Sequence, residues 1–298
     1  MELRILKYFV TIAKEENITR AANSLHVTQP TLSRQIKNLE EELGVSLFKR
    51  SNHNIHLTEE GQLFKKRAEE LLAMSQKMQD EFKVIDKQVE GDIYLGCGET
   101  KGMQFIAQIF KNIQTTYPNI NLHIYSGNAD DIANRLDKGL LDFGILIQPA
   151  NLAKYKALTL PSYDKWGAVA KRNSQLAKNK TVTKDDLIDL PLLCSRQAID
   201  PTIINNEFTA WFGDMFDQLN IVSTFNLAYN AGLMVKENVG YALTLDSIIN
   251  TSEESDLCFI PFEPELIAKH NIVWRKDHSF SKAAQVFLDK AKELETTF

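Results

Sequence analysis

The sequence predicts a chain of three parts: an all-α head with a winged helix-turn-helix, a long linker helix, and an α/β body. Three observations predict it. Residues 18–43 carry two short helical patterns around a tight turn, and residues 59–89 keep a single apolar seam. From Asp92 onward, short apolar strands alternate with amphipathic helices. A length of 298 residues with 44% hydrophobic content suits two or three globular domains.

In the head, Leu32, Ile36, Leu39 and Leu43 recur at steps of four, three and four, which is one stripe of a helix. With that stripe buried, Pro30, Ser33, Arg34 and Lys37 point away from the core. Thr28 is expected to cap this helix, because its hydroxyl can accept from N–H groups of the first turn. Pro30 fits in that turn, where its missing N–H is not needed. Thr19 is expected to cap the preceding helix, in which Ala21, Ala22 and Leu25 allow close packing. No acidic residue lies between Asn17 and Asn38, although the chain carries a net charge of −5. Residues 1–58 hold eight Lys or Arg against six Asp or Glu, a charge of +2, which leaves −7 for the rest. That asymmetry suits a DNA-reading head on a body that DNA repels. A recognition helix with this polar face carries the residue types that reach base edges and phosphates.

Phe48-Lys49-Arg50, the turn cluster of residues 51–54 and Ile55-His56-Leu57 predict a two-stranded wing. Thr58 then caps a new helix, with Glu59 and Glu60 in its first turn. Within it, Phe64, Ala68, Leu71, Ser75, Met78, Phe82, Ile85 and Val89 step by four and three, the seam of a helix that packs on another helix. Roughly 30 residues of helix reach about 45 Å, longer than a small domain covers. A dimer contact through Phe64, Ala68, Leu71, Met78, Phe82 and Ile85 is therefore expected.

In the body, strands are expected at residues 93–97, 122–125 and 143–147, with helices near 103–117 and 130–138 between them. Further strands are expected at 166–170, 192–194, 221–224, 241–244, 257–260 and 271–274, and a final helix near 281–294. In such open sheets, ligands bind beyond the carboxyl ends of strands and at helix N-termini. That rule selects Glu99, Thr100, Ser126, Gln148, Ser195, Arg196, Tyr229, Asn230 and Thr244. Thr100 could hold an anion at a helix N-terminus, and Arg196 could add a bidentate contact. Glu99 disfavours an anion there. It would either recognise a cationic or hydroxyl-bearing group, or pair with Arg196 across the cleft, or simply sit exposed in a first turn.

Several function classes find no support. Cys97, Cys194 and Cys258 are widely spaced with no CxxC or His-rich pattern, so no metal site is expected. The sequence has no GxSxG elbow, P-loop, GxGxxG or HExxH, so neither an enzyme nor a cofactor is expected. No apolar run reaches the length of a membrane span, and the N-terminus lacks a signal-peptide core. A cytoplasmic protein is expected. A cytoplasmic solute-binding protein is the rival that the body alone would suggest, and the first 58 residues argue against it.

Taken together, Leu6-Lys7-Tyr8-Phe9, Ala21-Ala22, Leu25, Val27-Thr28-Gln29-Pro30-Thr31-Leu32-Ser33, Ile36, Leu39-Glu40, Leu43-Gly44, Leu47-Phe48 and Leu57-Thr58-Glu59-Glu60-Gly61 resemble the LysR-type transcriptional regulators. The resemblance extends over all 298 residues and is most specific in the first 66. It implies a homodimer built through the linker helix, often assembled into tetramers. It also implies a two-lobed effector domain like a type 2 periplasmic binding protein. The divisions expected are 1–58 for the DNA-binding domain, 59–89 for the linker helix and 90–298 for the effector domain. Lobe I would take 90–161 and 266–298, and lobe II 162–265, with a cleft between them for a small-molecule effector.

On this reading Thr28, Gln29, Pro30, Thr31, Ser33, Arg34, Lys37, Lys49 and Arg50 face double-stranded DNA. Gln29, Ser33 and Arg34 would read base edges, and Lys37, Lys49 and Arg50 would meet phosphates. Dimerisation would impose dyad-symmetric promoter sites, and the effector would alter the recruitment of RNA polymerase. The wing departs from the family's arginine-rich pattern, with only Lys49 and Arg50 cationic. Fewer neutralised phosphates mean a shallower salt dependence. His53 and His56 would charge only in mildly acidic conditions and make DNA binding pH-dependent. A redox-responsive regulator acting through Cys97 and Cys194 is the alternative within the same family.

Overall fold

A computed structural model of the chain describes residues 1–50, 55–82 and 89–295. It divides into two compact units, Met1–Lys83 and Val84–Phe298. Among the described residues, no helix is long and apolar enough to cross a membrane.

The first unit opens with α1 (Leu3–Glu15), whose Ile5, Leu6, Phe9 and Ile12 fall on one buried face. Next come α2 (Ile18–Ser24) and α3 (Gln29–Leu43). Thr28 caps α3 by accepting from the N–H of Thr31. The cap of α2, however, is Asn17, whose side chain accepts from the N–H of Arg20 at 3.0 Å. Thr19, expected to cap, lies inside the helix, and Asn is the stronger capping residue of the two. Leu32, Ile36 and Leu39 are buried as expected, but Leu43 is 39% exposed because α3 has run past the core at its last turn.

The wing is formed by β1 (Phe48–Arg50) and β2 (Ile55–Leu57), antiparallel, with Lys49 opposite His56. Then α4 (Glu59–Phe82) begins beside Thr58, whose hydroxyl accepts from the N–H of Gly61 and donates to the carbonyl of Ser46. A Cβ on Gly61 would lie 2.1 Å from the carbonyl oxygen of Leu47, so only glycine lets α4 start against that segment. The α4 helix belongs to the head. Ala68 is 1% exposed in the same core as Phe9, and the Phe64 ring meets Phe9 edge-on at 4.9 Å.

The expected dimer seam therefore splits. Phe64 and Ala68 are spent on the head's own core, whereas Leu71 and Met78 are exposed, as are Leu63 and Met74. Val89 packs on the body's core. Ile85 lies outside the described residues, as does the side chain of Phe82. The heptad steps place Phe64 and Ala68 on a packed face, and they could not distinguish an intramolecular partner from a second chain.

The second unit is built on β3 (Gly91–Cys97), α5 (Gly102–Thr116), β4 (Ile120–Ser126), α6 (Ala129–Asp137), β5 (Phe143–Ile147), β6 (Tyr155–Lys171) and β7 (Leu192–Ser195). It continues with α7 (Glu207–Phe212), β8 (Ile221–Phe225), α8 (Ala228–Lys236), β9 (Tyr241–Leu245), β10 (Leu257–Pro261), β11 (Ile267–Arg275) and α9 (Lys282–Glu295). One nine-stranded sheet runs in the order β4-β3-β5-β11-β6-β9-β7-β8, with β10 paired to β6. Pairs β3–β4, β3–β5, β7–β8 and β7–β9 are parallel, the result of helical crossovers.

Two cores flank the junction of this sheet. One gathers Ile93, Ile109, Phe143, Ile272 and Phe287 in lobe I, and the other gathers Trp166, Leu187, Phe208, Phe212 and Leu243 in lobe II. The lobes are joined by β6 and β11. The first half of β6 pairs with β11, and its second half pairs with β9 and β10. Between the two halves the register slips: Tyr163 faces Lys269, but Thr159 faces Asn271. Pro161 sits in that bulge, where its missing N–H removes no ladder bond. The strand expected at 166–170 is the second half of β6, which begins at Tyr155. Pro161 reads as a break, yet it interrupts a continuous strand of 17 residues.

Candidate functional site

Two places bring the expected site residues together, and each is described within its own unit. The first is the outer face of α3. Thr28, Gln29, Pro30, Arg34 and Lys37 are exposed, while Thr31 and Ser33 are half-buried. Two local bonds pre-set the leading edge of the helix. The hydroxyls of Thr28 and Thr31 lie 2.8 Å apart, and Gln29 Nε2 donates to Ser33 Oγ at 2.9 Å. Lys37 pairs with Glu41 at 3.4 Å across one helical turn, a surface contact that a phosphate can replace. Among the described residues no acceptor engages the guanidinium of Arg34, so its fork of donors is free for a bidentate base contact.

Glu40 was not singled out from sequence. Its carboxylate accepts from the N–H groups of Leu47 and Phe48 at 2.7 and 3.1 Å, fixing the start of the wing to the recognition helix. Lys49 is exposed on the wing strand. The side chain of Arg50 and all of His53 lie outside the described residues.

The second place is a cleft of about 80 Å³ between the two lobes. Glu99, Gln148, Ser195 and Thr244 line it, together with apolar Ile132, Ile145, Ile147, Trp166 and Ile248. Three contacts hold the lobes across it. Glu99 accepts from the N–H of Ala228 at 2.9 Å, the first N–H of α8. Gln197 Nε2 donates to the carbonyls of Ile147 and Pro149, both at 2.8 Å. Lys101 Nζ pairs with the carboxylate of Asp246. Sequence reasoning missed Gln197, which no helix or strand-end rule selects.

Five of the expected effector residues do not line the cleft. The Thr100 hydroxyl is turned inward, 2.7 Å from Asp164 Oδ2 and 2.8 Å from His270 Nε2, and it accepts from the N–H of Gly102. Asp164 and His270 are wholly buried, and Ser162 Oγ meets His270 Nδ1 at 3.0 Å. The anion site expected at Thr100 is therefore filled by the protein's own carboxylate. Arg196 lines a separate outer groove of about 620 Å³ with Asp130 and Asp200, and it does not reach Glu99. Ser126 is exposed at the end of β4 and does not line the cleft. Tyr229 is 68% exposed, and it and Asn230 face away because α8 turns its Ala228, Ala231 and Gly232 side inward.

The settings of Cys97 and Cys194 disfavour a thiolate. Burial pushes the thiols of Cys97 and Cys194 up to about 12, with the charge of Asp164 adding to the effect at Cys97. Both stay protonated at neutral pH, which is the opposite of a reactive thiolate. Among the described residues no group of three potential ligands could hold a metal ion.

Comparison with known proteins extends over the whole chain. The family described as "Bacterial regulatory helix-turn-helix protein, lysR family" matches residues 3–62, and "LysR substrate binding domain" matches residues 86–295. The uncharacterized HTH-type transcriptional regulator YwbI of Bacillus subtilis is 29% identical over 98% of this chain and 96% of its own. A second Bacillus subtilis regulator, YybE, is 35% identical over 51% of this chain and 52% of its own. The fold is that of CbnR, whose full-length crystal structure with its target DNA superposes with a TM-score of 0.73. That likeness is at 21% identity and covers 98% of this chain and 99% of CbnR.

Proposed function

Because the chain belongs to the LysR family of bacterial regulatory helix-turn-helix proteins, we propose that it controls transcription as a homodimer that reads dyad-symmetric promoter DNA. It is a DNA-binding transcriptional regulator with an effector-binding domain. The exposed, acid-free leading face of α3 carries the proposal, with Arg34 unpaired among the described residues. Arg34, Gln29 and Ser33 read base edges in the major groove, and Lys37 and Lys49 meet phosphates. CbnR, which shares the fold, has been captured with its target DNA, and that supports the same docking here.

Dimerisation uses the exposed row of α4, namely Leu63, Leu71, Met74 and Met78. Tetramer assembly, contact with RNA polymerase and a cytoplasmic location complete the reading. A small molecule in the interlobe cleft favours one arrangement of the lobes, and a tenfold preference for it is worth about 1.4 kcal/mol. A mobility shift with the gene's own upstream region tests the proposal. A specific complex that survives excess competitor supports it, and equal affinity for every duplex at low salt defeats it.

A further inference from the structure

The chemistry of the cleft narrows what it can bind. Of all the residues that line it, Glu99 alone carries a formal charge. Among the described residues, Lys101 pairs with Asp246, and Arg196 is not among the residues that line the cleft. At the helix N-termini, where an anion would ordinarily dock, protein oxygens already hold part of the N–H groups. At α5, Asp164 Oδ1 accepts from the N–H of Lys101 and Thr100 Oγ accepts from that of Gly102. At α8, Glu99 holds the N–H of Ala228. At α6, Asn128 accepts from the N–H of Asp131, with Asp130 and Asp131 in the first turn.

An anion entering this space would meet a carboxylate and no cation among the lining residues. The polar groups that remain point to the opposite ligand. Thr244 is 4% exposed and lines the cleft, and no described residue makes a hydrogen bond with its hydroxyl. Gln148 and Ser195 also line the cleft with side chains unbonded among the described residues. Each offers an oxygen that can accept. A buried charge must be paired and hydrogen-bonded to be tolerated, and here the pairing group is acidic. The rest of the wall is mostly apolar, with the amides of Asn128, Gln197 and Asn226 among it.

We propose that the cleft takes a small cationic ligand, a primary amine on an apolar body, with its ammonium group against Glu99 and the Thr244 and Ser195 hydroxyls. This rests on the reading of the cleft as the effector site. A volume of about 80 Å³ suits a ligand group of a few heavy atoms. The amine recruits Glu99, and Glu99 in turn bridges to lobe II through Ala228.

The experiment titrates the full chain with butylammonium chloride, butan-1-ol and sodium butyrate at matched ionic strength. It reads tryptophan fluorescence, with Trp166→Phe marking the part that comes from the cleft, and the melting temperature. The variants are Glu99→Gln and Ser195→Leu. Glu99→Gln keeps a carbonyl for the Ala228 N–H and removes only the charge, and Ser195→Leu fills the cleft. Butylammonium is expected to bind wild type at least tenfold tighter than butan-1-ol. Glu99→Gln should bring it down to the level of the alcohol, and Ser195→Leu should abolish both. Tighter binding of butyrate than of butylammonium, sensitive to Ser195→Leu, overturns the amine proposal and leaves the cleft as a ligand site. Equal binding of the amine and the alcohol overturns it in the same way. No binding by any of the three, or binding indifferent to Ser195→Leu, overturns both the amine and the cleft reading.

Discussion

Asp164 and His270, each wholly buried, meet across the two strands that join the lobes, with His270 Nε2 3.1 Å from Asp164 Oδ2. His270 lies opposite the bulge of β6, and Ser162 within that bulge holds its other ring nitrogen. Thr100 and the N–H of Lys101 bring the start of α5 to the same carboxylate. The junction of the lobes is thus one polar knot inside an apolar sheet. Its imidazole also explains Gly102, where a Cβ would lie 2.7 Å from His270 Nδ1.

Removing one partner of such a pair leaves a buried group uncompensated. His270→Ala is therefore expected to destabilise the effector domain by about 3–5 kcal/mol. Gly102→Ala is expected to lose about 1–3 kcal/mol by overpacking against the ring. Urea denaturation of both variants checks this, and wild-type midpoints would show that the knot carries no stability.

Thr100→Val separates the structural role of Thr100 from the ligand contact first expected of it. The valine cannot bond Asp164, so stability should fall by about 1–3 kcal/mol, the loss for leaving a buried acceptor less satisfied. Affinity for a cleft ligand should stay within a few-fold of wild type, because the hydroxyl does not line the cleft. A large loss of affinity at unchanged stability would restore Thr100 to the binding site.

On the recognition helix, Arg34 and Lys37 should fail in different ways. Arg34→Ala should cost about 1–3 kcal/mol at the specific operator and relax the preference for one base. Lys37→Ala should weaken every duplex alike and lower the salt slope by about one. Binding isotherms on operator and scrambled DNA at several salt concentrations distinguish the two, and an exchange of the two patterns would mean that the other edge of α3 faces the bases.

What the sequence made legible followed from periodicity and caps. The α3 stripe, the Thr28 cap and the strand over 143–147 needed only local signals, and the structure carries each of them. What stayed hidden depends on distant partners. Pro161 could not be recognised as a bulge without β11 beside it. Neither the consumption of Thr100 by Asp164 nor the Glu99 bond to Ala228 could be read from residues 64 and 129 positions apart. Strand-end rules gave Glu99, Gln148, Ser195 and Thr244 correctly as cleft residues. They failed at Tyr229 and Asn230 because they say nothing about which side of α8 turns inward.

The cysteines predict a pH dependence. A thiol that holds its proton more tightly in the folded chain than in the unfolded one stabilises the fold below the unfolded value of 9.0. That contribution falls as pH rises through the interval from 9.0 to about 12. Stability measured from pH 8 upward should therefore decline, and less steeply in a Cys97→Ala, Cys194→Ala double variant. In the native protein at pH 8, a disulfide reagent should label Cys97 and Cys194 only as fast as the chain opens. Rapid labelling of either would reinstate the redox alternative.

The two sides of α4 make the last prediction, because one seam was expected and two surfaces are present. Phe64 meets Phe9 in the head core, so Phe64→Ala should lower the stability of the head by about 3–5 kcal/mol, as for other large core truncations. Its effect on association should be no more than that instability conveys. Leu71 and Met78 are 46% and 55% exposed and hold nothing together within the head, so charges there should leave the folded chain intact. A Leu71→Glu, Met78→Glu double variant should instead place like charges against each other across a dimer axis and shift sedimentation to the monomer. Such a monomer would present one recognition helix at a time, and its operator affinity should fall toward the non-specific level because the dyad no longer contributes two linked contacts. If the double variant sediments as wild type does, the row on α4 is ordinary surface, and the head must associate through another face.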